Sequence, residues 1–137
     1  MPLPPETLLL RMSLSLLFGF LIGVERERKG KPAGTRTIAL VSMGSTLMML
    51  MAVMIQESNV HGTSDAIRML QGIVTGIGFL GAGTVLHVRG NVRGLTTAAA
   101  VWMVAAIGAA IGAGYYFLAA VAEALALLII ASKQEET

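Results

Sequence analysis

The chain has 137 residues, of which 55% are hydrophobic and only 13% are charged, and its mean hydropathy is +0.74. Soluble domains carry about 25% charged residues, so the composition excludes an ordinary soluble domain and predicts a protein surrounded by membrane lipid, with no role in binding nucleic acid. The absence of cysteine excludes disulfides, thiolate metal sites and cysteine nucleophiles.

Five apolar stretches are separated by charged or turn-forming breaks, and each approaches the roughly 20 residues that a helix needs to cross a bilayer. They cover about residues 7–24, 35–55, 66–88, 95–113 and 115–131. The first stretch is not expected to be a cleaved signal peptide, because MPLPPE contains no Lys or Arg and the apolar run ends directly in charges. The sequence therefore predicts an all-α integral membrane protein with a single transmembrane domain over residues 1–137.

The distribution of basic residues predicts the orientation of these spans. With five spans, the first and third connections and the C-terminal tail share one side. Eight of the ten Lys and Arg residues lie on that side, namely Arg26, Arg28, Lys29, Lys31, Arg36, Arg89, Arg93 and Lys133. Only Arg11 and Arg68 lie on the other side. Because basic residues are enriched in cytoplasmic loops, we expect the N-terminus outside and the C-terminus in the cytoplasm.

The third span is unusually rich in glycine, and these small residues lie on two faces of the helix. At 100° per residue, Gly72, Gly76 and Gly83 share one face, and Gly78 and Gly81 lie on the opposite one. Small residues let helices approach closely in lipid, so we expect a tightly packed bundle in which this helix is packed on both sides. The GxxxG pairs at residues 19 and 23 and at residues 108 and 112 are candidates for the partner faces.

The segment GIGFLGAG also satisfies the dinucleotide-binding pattern GxGxxG. That function needs a preceding strand, a glycine turn at a helix start and an acidic residue about 20 positions further on, and none is present in the sequence. A second interpretation of the glycines remains open: they let the helix bend and expose backbone carbonyls to a solute, as broken helices do in transporters.

Two ionisable residues lie within predicted spans, where such groups are candidates for function. Arg11 is near the outer end of the first span, from which its side chain can extend to the headgroups. Glu123 lies about 12 Å from the outer end of the fifth span, too deep for a short carboxylate to reach water. Either Arg11 pairs with Glu123, or Glu123 is held as a neutral acid, or it belongs to a proton or cation relay.

Two polar clusters are predicted at the ends of the helices. The cytoplasmic cluster comprises Glu25, Arg26, Arg36, Thr37, Arg93, Thr96 and Thr97. Its last three members place an arginine beside a helix N-terminus, and this arrangement favours binding of an anion. The outer cluster consists of Asp65, Arg68 and Gln71, whose first two members can pair across one turn. By contrast, Arg28, Lys29 and Lys31 are interpreted as charges that only set the orientation.

No metal site, cofactor or catalytic constellation is predicted. His61 and His87 are expected on opposite sides of the membrane, and Glu25 and Glu27 point about 200° apart on a helix. Neither pair can chelate a metal without further residues. Ser and Thr are plentiful, but no base is placed beside one by the sequence. We therefore expect a protein that is not an enzyme.

The chain resembles the MgtC/SapB family of bacterial inner-membrane proteins. The resemblance rests on GVERER (23–28), GTRT (34–37), SDAIR (64–68), GIGFLGAG (76–83) and GLTTAAAVW (94–102), which occur in family order. It covers the membrane domain, which many members extend with a cytoplasmic ACT-like domain. It implies a virulence-associated protein linked to growth under magnesium limitation, acting on membrane energetics through contact with the ATP synthase.

Two functional hypotheses follow from the residues and the resemblance. The first is a non-enzymatic membrane regulator that acts through helix-to-helix contacts with itself, as a homo-oligomer and most simply a dimer, and with another membrane complex. The second is a small oligomeric transporter or channel for an ion or small solute, with Glu123 or the cytoplasmic cluster lining a path. Five short helices are few for a path within one subunit, so a dimer interface would have to supply it.

The orientation is testable by labelling single cysteines in a cysteine-free background. A cysteine at Ser58 is expected to react with an impermeant maleimide added outside the cell, because the second connection is predicted to be external. A cysteine at Asn91 is expected to react only from the cytoplasm. Reversed labelling would overturn the predicted orientation.

Overall fold

The computed structural model describes residues 3–58, 65–88 and 91–132, and most of these residues are helical. The helices are α1 (Pro5–Arg28), α2 (Thr35–Ser58), α3 (Asp65–Gly83), α4 (Leu95–Gly112) and α5 (Tyr116–Ala131). A short antiparallel hairpin between α3 and α4 is formed by β1 (Leu86–Val88) and β2 (Asn91–Arg93). The prediction of a helical membrane protein is confirmed, and the hairpin is an addition to it.

Four helices, α1 to α4, are long and apolar enough to cross a membrane. Helix α5 is shorter, with 16 residues, and its length is about 24 Å by helical rise. Contacts at both of its ends tie it to α1: Arg11 donates to the Tyr116 hydroxyl, and Lys29 donates to the Ile130 carbonyl. Helix α5 therefore extends along most of the bundle despite its length.

Helices α1 and α2 meet backbone to backbone. A Cβ atom at Gly19 would lie 2.9 Å from the Ala39 Cα atom, and one at Gly23 would lie 2.6 Å from the Thr35 Cα atom. Neither distance leaves room for a side chain. These two positions hold glycine because the GxxxG spacing allows the close helix approach on which association in lipid depends.

Helix α4 approaches α2 in the same way, further along α2. A Cβ atom at Gly112 would lie 2.7 Å from the Thr46 carbonyl oxygen, and one at Gly108 would clash with the Ser42 carbonyl oxygen. The close approach brings buried hydroxyls of α2 within reach of backbone carbonyls on its neighbours. The bonds run from Ser42 to Ser15 (2.8 Å), from Ser45 to Ala105 (2.6 Å) and from Thr46 to Gly108 (2.7 Å).

The expectation that these two GxxxG pairs receive α3 is wrong, because both pairs receive α2. The glycines of α3 itself are open within the single chain. A Cβ atom at four of its glycine positions would meet nothing within 4 Å, namely Gly72, Gly76, Gly78 and Gly83. At Gly81 it would lie in ordinary contact, 3.7 Å from the Ala98 Cβ atom. Two-sided packing of α3 is therefore not achieved by contacts within the described chain.

The sequence predicts a third span that reaches residue 88, whereas α3 ends at Gly83. Turn hydrogen bonds close the helix, with the Thr84 amide bonded to the Gly81 carbonyl at 3.0 Å. The following strand pairs with β2, which returns the chain to α4. Gly94 makes this return possible: its φ is +89° and a side chain would clash with the Thr84 carbonyl, so only glycine fits.

Because Gly108 packs against the backbone of α2 and Gly76 does not, we expect the two substitutions to change the stability of the protein differently. Gly108→Ala is expected to destabilise the protein by about 1–3 kcal/mol, the usual cost of overpacking, because the new methyl group meets backbone. Gly76→Ala is expected to leave stability unchanged or slightly raised, since no atom lies near its Cβ position and alanine favours helix. Thermal unfolding of both variants in the same detergent measures the difference, and equal melting temperatures would contradict this packing.

Candidate functional site

Polar side chains converge at the end of the bundle where α1 and α5 end and where α2 and α4 begin. Arg26, in the last turn of α1, is 1% exposed, and its Nη2 atom donates a 3.0 Å hydrogen bond to the Thr97 hydroxyl. Thr97 is itself fully buried in the first turn of α4. The structure thus brings together two members of the predicted cytoplasmic cluster as a buried polar pair that joins α1 to α4.

Glu25 lies in the same turn of α1 and binds a neighbour along the helix. The Lys29 ammonium lies 3.2 Å from the Glu25 carboxylate, and it also donates to the Ile130 carbonyl at the end of α5. A lysine at a helix C-terminus stabilises the unpaired carbonyls and the helix dipole there. The interpretation of Lys29 as a charge that only sets orientation is wrong, because it fastens α5 to α1.

The connection between α1 and α2 is held by a second carboxylate. The Glu27 carboxylate accepts a 2.9 Å hydrogen bond from the Thr35 hydroxyl. A Cβ atom at Gly34 would lie 3.0 Å from this carboxylate, so the glycine lets the loop pass beside Glu27. The start of α2 is therefore fixed against the end of α1.

The remaining members of the predicted cytoplasmic cluster do not join the buried pair. Arg36, Thr37 and Arg93 are exposed and Thr96 is half-buried. Within the described ranges neither Arg36 nor Arg93 has an ion-pair partner. This end of the bundle therefore has a buried polar pair surrounded by exposed basic residues, and it does not form one compact site.

At the opposite end, Arg11 binds the corner between α4 and α5. Its Nε atom donates to the Tyr116 hydroxyl at 2.8 Å, and its Nη1 atom donates to the Gly112 carbonyl at 2.9 Å. The guanidinium group also lies 5.6 Å from the centre of the Tyr116 ring, within cation–π range. The alternative in which Arg11 pairs with Glu123 is not realised in the structure.

Glu123 is buried in the middle of α5. It is 4% exposed, and neither carboxylate oxygen has a hydrogen-bond partner among the described residues. It shares its helix face with the buried residues Ala119, Ala126 and Ile130. An isolated buried carboxylate is strongly unfavourable, so the side chain is placed where a proton or a ligand would stabilise it.

The outer cluster is described only in part. Arg68 and Gln71 are exposed on α3, while the side chain of Asp65 lies outside the described part of the chain, so the predicted pair of Asp65 with Arg68 stays a prediction. His61 and the side chain of His87 also lie outside it. Among the residues that are described, no group of three or more His, Asp and Glu side chains could hold a metal ion.

Comparison with known proteins places the chain among bacterial membrane proteins. It is 40% identical to the protein SrpB of Synechococcus elongatus over 88% of this chain and 71% of that protein. It is 40% identical to YhiD of Escherichia coli K12 over 89% of this chain and 58% of that protein. It is 44% identical to the protein MgtC of Brucella abortus over 79% of this chain and 43% of that protein.

The chain thus spans about half the length of several relatives that it matches. No solved structure matches it. The MgtC family model matches residues 12–136, which include every described helix in whole or in large part. By this match and by the identity to its relatives, the chain belongs to the MgtC family.

Proposed function

We propose that this chain is a non-enzymatic protein of the bacterial inner membrane that supports adaptation to magnesium limitation by regulating another membrane complex through helix-to-helix contacts. Membership of the MgtC family, together with the name of one relative, the putative magnesium transporter YhiD, supports a link to magnesium. The observation that supports contact with a partner is the unusual position of α3 in the bundle.

Helix α3 has the lowest mean hydropathy of the four long helices, yet it is also the least covered by protein. Only 17% of its span is buried, against 22% for α1, 50% for α2 and 56% for α4. A span that faces lipid should be the most apolar one, because lipid offers no hydrogen bonds to polar groups. The surface of α3 therefore favours a protein neighbour over lipid.

The exposed polar residues of α3 form one stripe. Arg68, Gln71 and Thr75 are exposed at i, i+3 and i+7, and the same stripe continues through Gly78 and Ala82. Polar side chains followed by small residues are the usual composition of a helix–helix interface in membranes. The Thr75 hydroxyl already donates to the Gln71 carbonyl, whereas the amide of Gln71 faces outward. We propose a second copy of the chain or another membrane complex, such as the ATP synthase, as the partner of this surface.

The second hypothesis, transport of an ion or small solute, is supported by Glu123. A buried carboxyl without a hydrogen-bond partner in the described structure is costly to retain in a membrane helix. In a transporter, the same group would bind a proton or a cation during each cycle. A dimer would be required to complete the path.

The regulatory proposal predicts that a bulky side chain in the stripe abolishes function without unfolding the protein. Gly78→Leu is expected to abolish growth at low magnesium in a strain that depends on this protein, because the leucine holds a partner helix away from α3. Within the single chain, a Cβ atom at Gly78 meets nothing within 4 Å, so expression and melting temperature should not change. The control is Ala124→Leu, which places the same leucine side chain at an exposed small position of α5.

Normal growth with Gly78→Leu at matched protein level would show that this stripe is not the active surface. The transport hypothesis is tested separately by ion flux into proteoliposomes that contain the purified chain. Flux that is present in the wild type and absent in Glu123→Gln would favour transport over regulation by contact. If neither chain conducts ions, the regulatory proposal is strengthened.

A further inference from the structure

An apolar groove of about 520 Å³ lies between α2 and α3. Its walls include Leu40, Gly44 and Met48 of α2 and Gly72, Gly76 and Leu80 of α3. Leu40 is 68% exposed, so the groove opens to the surroundings of the protein and is not an internal void. Its base is formed by the buried residues Ser45, Ile73 and Ile77. At the three glycines, a Cβ atom would meet no atom of another helix within 4 Å.

The length of the groove along α2 matches the thickness of a single membrane leaflet. On α2 it begins at Thr37, in the first turn, and ends at Met48, although the helix continues to Ser58. This distance is about 16 Å by helical rise, close to half of the roughly 30 Å hydrocarbon core. A membrane-crossing partner helix would need a groove along the whole of α2, so the shape fits a ligand that occupies one leaflet.

The mouth of the groove is basic. Arg36 lies one helical turn before Leu40 on the same edge of α2, and it is exposed, with no ion-pair partner in the described ranges. Arg93 lies at the same end of the bundle, because the adjacent Gly94 contacts Thr84 at the end of α3. An arginine at the membrane surface attracts anionic headgroups and can bind a phosphate through two parallel hydrogen bonds.

We propose that this groove binds one anionic phospholipid, with an acyl chain between α2 and α3 and the phosphate at Arg36. The apolar walls supply the area for the chain, and the missing side chains at the three glycines supply the space. The headgroup lies in the leaflet at the Arg36 end of the bundle. This lipid site is independent of the outward stripe of α3, which lies on a different face of that helix.

Native mass spectrometry of the purified chain in detergent tests the proposal with two lipids that share the same oleoyl chains. Phosphatidylglycerol is expected to remain bound at one molecule per chain, and phosphatidylcholine is expected to bind more weakly. Arg36→Gln should reduce the preference for phosphatidylglycerol about fivefold, the effect of one basic residue near an anionic surface. Arg28→Gln, which removes an exposed charge from the same end, should leave the preference unchanged.

Two further variants fill the groove itself. Gly76→Leu and Gly44→Leu are each expected to remove the bound lipid of either headgroup, while the melting temperature of the lipid-free chain stays unchanged. Gly78→Leu, on the other face of α3, should retain the lipid. Equal retention of phosphatidylglycerol by the wild type and both groove variants would overturn the proposal. A lipid-free wild-type dimer that Gly76→Leu converts to a monomer would also overturn it, because a second copy would then occupy the groove.

Discussion

The structure depends on the close approach of two helix backbones, those of α1 and α4, to α2. Gly19 and Gly23 of α1 admit the Cα atoms of α2 near its start, and Gly108 and Gly112 of α4 admit carbonyl oxygens of α2 further along the helix. Because apolar burial contributes little between helices in lipid, association relies on such contact and on hydrogen bonds between helices. The hydroxyls of α2 supply these bonds at the same level of the bundle. Helices α1, α2 and α4 therefore form the rigid core, and the other two helices are attached to it.

The two attached helices are held in different ways. Helix α5 is fastened at its ends by long cationic side chains of α1, Arg11 at one end and Lys29 at the other. Its middle contains Glu123, which has no hydrogen-bond partner among the described residues. Helix α3 packs on α2 and α4 along one face only, so its glycines and polar stripe stay available to molecules outside the chain. Two different kinds of candidate functional surface therefore lie on separate helices.

The sequence predicts the helices well, because the length of an apolar stretch can be read from a local segment. Which helices pack together depends on the whole bundle and cannot be read in this way. The GxxxG spacing of α1 and α4 correctly indicates close approach, but it contains no information on which helix approaches. The burial of Arg26 could have been predicted from the sequence. It lies three residues after Gly23, and therefore on the face of α1 that packs against other helices. The hairpin was not predictable from hydropathy, because the apolar β1 segment continues the run of α3 and only the turn bonds after Gly81 interrupt it.

The residues on which the two functional hypotheses depend lie on different helices. Helix α3 packs on α2 and α4, whereas α5 packs on α4 and α1. Although both helices pack on α4, the outward stripe of α3 is exposed and Glu123 is buried in α5. Effects of substitutions at these two separate sites are therefore expected to be additive. A contact surface on α3 and an ion-binding carboxyl on α5 can each be removed while the other stays intact. If loss of either surface abolishes the same activity, the two must be coupled through the rigid core of α1, α2 and α4, and regulation and ion binding would then be parts of one mechanism.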